Sequence, residues 1–289
     1  MKSVYRPAPY YTPVQLVGRW FPRIIARLLV GVYVATIVVP LYYLIVSSFK
    51  SNDSIFSSPL SLPGSFSLQN FFRAQEGADL ISAMGNSIII TTGAELLTLL
   101  LAIPAAYAIA RVATKLAPVL ERVFSLGFLI PAFAILVPTF LLSIKLEMYH
   151  TQLFLILFYP ATALPLAVIL LAQFMRSIPG EIEDAARVDG GTRWRILWHI
   201  FVPLCLPGIS TVAILNFLSF WNEYLFARII LGDDSRTIQV ALPALRSFQA
   251  TDYGLVTAGT LVALIPVYLL YIVLQRRMQE ALISGYAKG

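Results

Sequence analysis

The chain has 289 residues, 58% of them apolar, 12% aromatic and only 12% charged, which is about half the charged fraction of an ordinary soluble domain. Its 21 Lys+Arg and 15 Asp+Glu cannot cover a water-facing surface of this size, so most soluble enzymes are excluded and the expected solvent is lipid. The net charge of +6 does not indicate nucleic acid, because the basic residues are scattered between apolar runs and form no Lys/Arg patch interleaved with exposed aromatics. A single cysteine, Cys205, lies in an apolar run, so neither a disulfide framework nor a cysteine-rich metal site can be built.

In chain order, residues 1–27 read as an N-terminal segment carrying Lys2, Arg6, Arg19, Arg23 and Arg27. Six segments then supply the roughly 20 mostly apolar residues that a helix needs to cross hydrocarbon without water to satisfy its backbone. They are Leu28 to Phe49, Leu80 to Ala110, Val123 to Ile144, Thr151 to Met175, Ile200 to Asn222 and Tyr253 to Gln275, and only the second contains an ionisable acid or base, Glu95. The first exceeds a signal-peptide apolar core and no A-x-A-like cleavage site follows, so it is expected to stay. Ser51 to Ser67 is rich in Ser and Pro and reads as an irregular external loop. Prolines at 40, 104, 131, 138, 160, 165, 207 and 266 predict kinked helices.

Orientation follows from the connecting segments, since short basic loops stay on the cytoplasmic side. One side receives the N-terminal segment, Arg111, Lys115, Arg122, Arg176, Arg187, Arg193, Arg195 and the tail, fifteen Lys and Arg against six on the other side. The expected architecture is all-α: a polytopic six-helix kinked bundle at 28–275 with both termini cytoplasmic, and a tail at 276–289.

The fourth loop, Arg176 to Arg195, reads as a short amphipathic helix between punctuation marks. Ser177, Pro179 and Gly180 favour its start, Gly190 and Gly191 its end, and Glu183 and Arg187 form an i,i+4 pair. Ile182, Ala185 and Ala186 are expected on one face, where small side chains admit a close partner. The residues alone leave two readings, a docking surface or a connecting helix packed beneath its own bundle.

The run Asp184-Ala185-Ala186, three residues, Gly190, nine residues, Ile200-Phe201-Val202-Pro203 closely resembles the cytoplasmic signature of binding-protein-dependent ABC importer permeases, E-A-A, three residues, G, nine residues, I-x-L-P. Asp184 stands where the family has glutamate and Val202 where it has leucine, both preserving chemical character. Phe220-Trp221-Asn222-Glu223-Tyr224-Leu225 resembles a stretch of carbohydrate importer permeases, and Gln275-Arg276-Arg277 with Ser284-Gly285-Tyr286-Ala287-Lys288-Gly289 resembles the tail of the shorter maltose-type subunit, Tyr286 replacing alanine. The resemblance implies that 176–199 is a loop whose helix seats in a cleft of an ATP-hydrolysing subunit, with Glu183, Asp184, Ala185, Ala186, Arg187, Asp189 and Gly190 at the contact and Tyr286, Lys288 and Gly289 as a tail contact. It further implies a second permease subunit, two ATPase subunits holding ATP and Mg, an extracytoplasmic substrate-binding protein, and a bacterial or archaeal plasma (inner) membrane. The substrate expected from it is a sugar or oligosaccharide.

The chain is not expected to be the ATPase or any enzyme: it has no G-x-x-x-x-G-K-S/T phosphate loop and no Gly-Lys pair. His150 and His199 lack ligand spacing, and no metal or cofactor site is expected. Within the bilayer, Glu95 is costly in lipid and should face the bundle or an aqueous path, either as a pathway residue or as a pairing residue between helices. Asn216, Ser219, Trp221, Asn222 and Glu223 are candidates for a sugar path or for interfacial anchoring and interhelical bonding, and Asn86 carries the same ambiguity. The competing function is an ion-coupled secondary transporter with Glu95 as the carrier, which would need no partner.

Overall fold

The computed structural model describes residues 13–112, 115–246 and 251–286. Among the described residues all regular structure is helical. Helix α1 (Pro13–Ser47) carries the first span as Arg23–Ser47, whose most apolar stretch is unburied by the rest of the chain, as expected of a helix set against lipid or another subunit. Two short helices follow, α2 (Asn52–Ser57) and α3 (Gln69–Ala78). The loop expected to be irregular from Ser51 to Ser67 therefore contains a helix. Asp53 in its first turn suits the positive end of the helix dipole, and Ile55 is buried beneath it. Buried Lys50 organises the following turn by donating to Ser58 O at 2.9 Å and Ser61 Oγ at 3.2 Å.

Helix α4 (Leu80–Arg111) pairs with α7 (Gln152–Arg176) more extensively than any other two elements. Lipid offers little hydrophobic drive for helix association, so close backbone approach has to carry the packing. Ala83, Ser87, Thr91, Ala94, Thr98, Ala102 and Ala106 form a stripe of small buried side chains at three- to four-residue spacing down α4; Ala94, Ala102 and Ala106 pack with buried residues of α7, including Ala163 and Ala167, whereas Ala83 packs with α3 and α13, and Ser87 accepts from Ile238 N at 2.8 Å.

The third and fifth expected spans are each broken. Helices α5 (Ala117–Leu126) and α6 (Ala132–Lys145) are bent by 98° across a short 3-10 turn. Ile130, which precedes Pro131, leaves the helical region at φ −85°, ψ 109°, as the proline ring demands of its neighbour. After the loop helix α8 (Gly180–Val188), the chain runs through α9 (Arg193–Ile196), a π-helical turn at Leu197–Phe201 and α10 (Val202–Leu204), then turns by 76° at Cys205 into α11 (Leu206–Trp221). Pro203 and Pro207 flank that bend and remove two backbone donors from one turn of helix. Helices α12 (Leu225–Ile230) and α13 (Ile238–Ala241) close the bundle end opposite α8, and α14 (Tyr253–Tyr286) forms the last span through Tyr253–Val273. Among the described residues, four helices are thus long and apolar enough to cross a membrane unbroken, and up to six spans result when each bent pair counts as one.

The core has three parts along the bundle. At the α8 end, the lower halves of α4 and α7 enclose Ile196, Leu197, Phe201 and Cys205 from the elbow. A middle cluster joins α4, α7 and α12, and a third at the far end joins α3, α13 and α14 around Trp221.

Candidate coupling site and membrane path

Helix α8 starts at Pro179, whose φ of −56° is already set for a helix entry, and carries Glu181 and Glu183 in its first turn and Arg187 in its last, in agreement with the dipole at both ends. Its end is a two-bond cap. The Gly190 N–H donates to Arg187 O at 3.0 Å and the Gly191 N–H to Ala186 O at 2.9 Å, with Gly190 at φ 78°. Gly190 is needed for its positive φ. Gly191 is needed for space, because a Cβ there would sit 2.7 Å from Ala186 O.

The two faces of α8 differ from the expectation. Ile182 (39% exposed), Ala185 and Val188 (88% exposed) face outward, whereas Ala186 is half-buried against the cluster that contains Tyr107, Met175, Ile196 and Phe201. Ala186 therefore packs on its own bundle, one turn from the inward-facing Glu183, and does not complete an outward face with Ile182 and Ala185. Glu183 is only 4% exposed and accepts hydrogen bonds from Tyr107 Oη at 3.1 Å and Arg187 Nη2 at 2.6 Å. Asp184 and Asp189 remain exposed, Asp184 lying 3.7 Å from Arg187 Nη1. Beneath α8, Arg111 at the end of α4 donates to Met175 O and Ile178 O at the end of α7, and its guanidinium lies 4.9 Å from the Phe201 ring centre. The Tyr107 ring meets Phe201 edge-on at 5.1 Å.

The candidates inside the membrane fall into two groups. Glu95 on α4 lies opposite Asn216 on α11, and among the described residues neither Glu95 oxygen nor Asn216 Nδ2, all buried, has a hydrogen-bond partner within 3.5 Å. Asn216 is 3% exposed, while Ser219 on the same helix and Asn222 just past its end are exposed, Asn222 donating to Leu218 O at 2.8 Å and accepting from Gln239 Nε2 at 3.3 Å. The others are engaged in holding the fold. Trp221 is 2% exposed, stacks on Phe217 and donates to Ala263 O at 3.2 Å. Glu223 accepts from Phe226 N and Ala227 N at 2.9 Å each and from buried Tyr159 Oη at 2.8 Å, capping α12 and tying it to α7. Asn86 donates to Asp234 O and Arg236 O and accepts from Gln152 Nε2 at 2.7 Å, anchoring the segment before α13.

Residues 78–283 match the family described as "Binding-protein-dependent transport system inner membrane component". The chain belongs to this family. It is 33% identical over 264 residues to the diacetylchitobiose uptake system permease protein NgcG of Streptomyces coelicolor, covering 90% of this chain and 87% of that one. It is also 33% identical over 267 residues to the melibiose/raffinose/stachyose import permease protein MelC of Bacillus subtilis, covering 92% and 96%. The fold matches a chain in the crystal structure of a bacterial ABC transporter involved in alginate import, with a TM-score of 0.79 at 22% identity, over 94% of this chain and 100% of that one. The resemblance carried by the loop signature is thereby borne out, and nothing in these likenesses supports the ion-coupled alternative.

The permease fold also contains features that sequence reasoning misses. Tyr107 and Arg111 both contact the loop signature, yet nothing in their local sequence joins them to a segment some 70 residues away. The spacing of four between Ala94, Thr98, Ala102 and Ala106 is the available sign of the α4 packing face. Among the tail candidates, Lys288 and Gly289 lie outside the described residues, and Tyr286 is the last residue of α14.

Proposed function

We propose that this permease is one of two membrane subunits of an ATP-driven importer for a sugar or oligosaccharide, fed by an extracytoplasmic binding protein and driven by two ATPase subunits that hold ATP and Mg. Support for the substrate class comes from the names of the relatives, which print oligosaccharides. The α8 end is cytoplasmic on this reading, in a bacterial or archaeal inner membrane. The observation that carries the coupling role is the outward face of α8. Ile182, Ala185 and Val188 form a small apolar patch, ringed by Asp184 and Asp189, on a helix fixed at both ends and seated on the bundle. Such a patch fits a cleft on the ATPase, and closure of the ATPase pair would push α8 and reorient the broken spans to expose a central path to each side in turn. Glu95, Asn216, Ser219 and Asn222 would border that path, their amide, carboxyl and hydroxyl groups matching sugar hydroxyls.

The test is assembly and transport. Ala185→Arg places a long charged side chain in the contact and is expected to detach the ATPase and abolish uptake while membrane insertion stays normal. Uptake is best screened with raffinose and diacetylchitobiose as probes. Retained ATPase binding and uptake in Ala185→Arg would reduce α8 to an ordinary connector.

A further inference from the structure

We infer that Glu183 does not contact the ATPase but is a positioning residue that passes the movement of α8 into helix α4 through Tyr107. The inference rests on the coupling role proposed for α8 and specifies where its movement goes. Seven residues of the loop signature region were expected at the ATPase contact, yet Glu183 points into the bundle, and its carboxylate is shared between Tyr107 on α4 and Arg187 on α8 itself. A carboxylate this deeply buried needs its partners, because an unpaired buried charge is strongly unfavourable. The Tyr107–Glu183 bond therefore holds while α8 moves, and α4 must move with it.

The course of that movement is set by α4. Pro104 lies one turn above Tyr107 and removes a backbone donor inside the helix, which leaves a natural bending point there. Below it, Tyr107 is tied to Glu183, Arg111 to the last carbonyls of α7, and both aromatic and guanidinium groups to Phe201 of the elbow. The segment from Pro104 to Arg111, the end of α7, α8 and the elbow are thus one body. Above Pro104 the upper part of α4 continues as one unbroken helix to Leu80. The upper part carries Glu95, opposite Asn216, so a push on α8 is delivered by one helix to the polar pair in the middle of the membrane.

The experiment measures how strongly the cognate binding protein stimulates ATP hydrolysis by the whole complex in liposomes, relative to the basal rate of the same preparation. Tyr107→Phe removes one hydroxyl, keeps the ring against Phe201 and leaves the outward face of α8 intact. A hydrogen bond to a charged group biases an equilibrium by about tenfold or more, so stimulation should fall by about that factor while basal hydrolysis and bound ATPase are retained. A purely structural role would lower the amount of complex and both rates together, leaving the ratio unchanged. Glu183→Ala should lose stimulation to the same degree, and the double variant should be no worse than either single one, as expected of two groups acting through one bond. Glu183→Gln, which keeps an acceptor for Tyr107, should restore part of the ratio. Since the ratio is taken per assembled complex, a lower yield of any variant does not change the reading. Full stimulation in Tyr107→Phe, or strictly additive losses in the double variant, would overturn the inference. Ala185→Arg separates the two levels: if it leaves the ATPase bound, the coupling role of α8 itself fails, whereas a detached ATPase in Ala185→Arg with full stimulation in Tyr107→Phe removes only the link through Glu183.

Discussion

Residue chemistry at the end of α11 separates groups that hold the fold from groups free to meet a substrate. Glu223 receives three donors, two of them backbone N–H groups at the start of α12 and one the buried Tyr159 hydroxyl. Replacing it with Gln turns one acceptor oxygen into a donor amide and leaves at least one of those donors unpaired, so Glu223→Gln should cost about 1–3 kcal/mol of stability. Tyr159→Phe deletes a donor without stranding either backbone N–H, and should cost less. Thermal unfolding of the detergent-solubilised chain checks the order, and a milder effect for Glu223→Gln than for Tyr159→Phe would contradict this account. Asp79 makes a further residue-scale case. It joins α3 to α4 in the left-handed region at φ 42°, and hydrogen bonds from Ser82 and Gln75 hold its carboxyl below the usual value. A depressed folded pKa means that the contribution is complete above the unfolded carboxylate pKa and is lost as pH falls through the folded value. Asp79→Asn should therefore narrow the stability difference between neutral and strongly acidic pH, with little effect on transport.

At the scale of elements, hydropathy alone locates all six apolar segments, because the membrane demands about 20 apolar residues wherever a helix crosses it. Which of them break is not legible in the same way. Prolines occur in or near all six, yet Pro104, Pro138, Pro160, Pro165 and Pro266 stay inside continuous helices. The 98° bend needs the added 3-10 turn before Pro131, and the 76° bend needs two prolines four residues apart around Cys205. Neighbouring helices decide whether a freed carbonyl is tolerated, and that information is not local. The loop signature is legible because α8 is defined by short-range signals, a proline start and a two-glycine cap, but the inward turn of Glu183 depends on Tyr107 of a distant helix. The small-residue stripe gives an element-scale prediction. Ala94 and Ala102 are fully buried between α4 and its partners, so Ala102→Leu should overpack the α4–α7 seam and cost about 1–3 kcal/mol. Leu96→Ala, on the exposed face of the same helix, should be nearly neutral. The comparison is made by thermal unfolding in one detergent, and equal losses would place the α4–α7 contact elsewhere.

On the scale of the whole molecule, the charge asymmetry and the fold can be joined in one topology. Arg111, Arg122, Arg176, Arg187, Arg193 and Arg195 all belong to the end that carries α8, and Arg176 pairs there with Glu121 at 2.7 Å, while α2, α3, α12 and α13 form the opposite end. Positive charge in short loops stays on the cytoplasmic side during insertion. The basic end, which also carries the α8 face proposed above to dock an ATPase, should then face the cytoplasm, and the two arguments are independent of each other. In a Cys205→Ala background, single cysteines at Ser57, Asp234 and Val188 occupy exposed positions, the first two at one end and the third on α8. A membrane-impermeant thiol reagent applied to intact cells should label Ser57→Cys and Asp234→Cys and spare Val188→Cys, and inverted vesicles from cells that express the chain without an ATPase subunit, so that the α8 face is uncovered, should reverse the pattern. Labelling of Val188→Cys from outside sealed cells would invert the topology and leave α8 on the wrong side of the membrane for an ATPase, whatever the family resemblance of the loop.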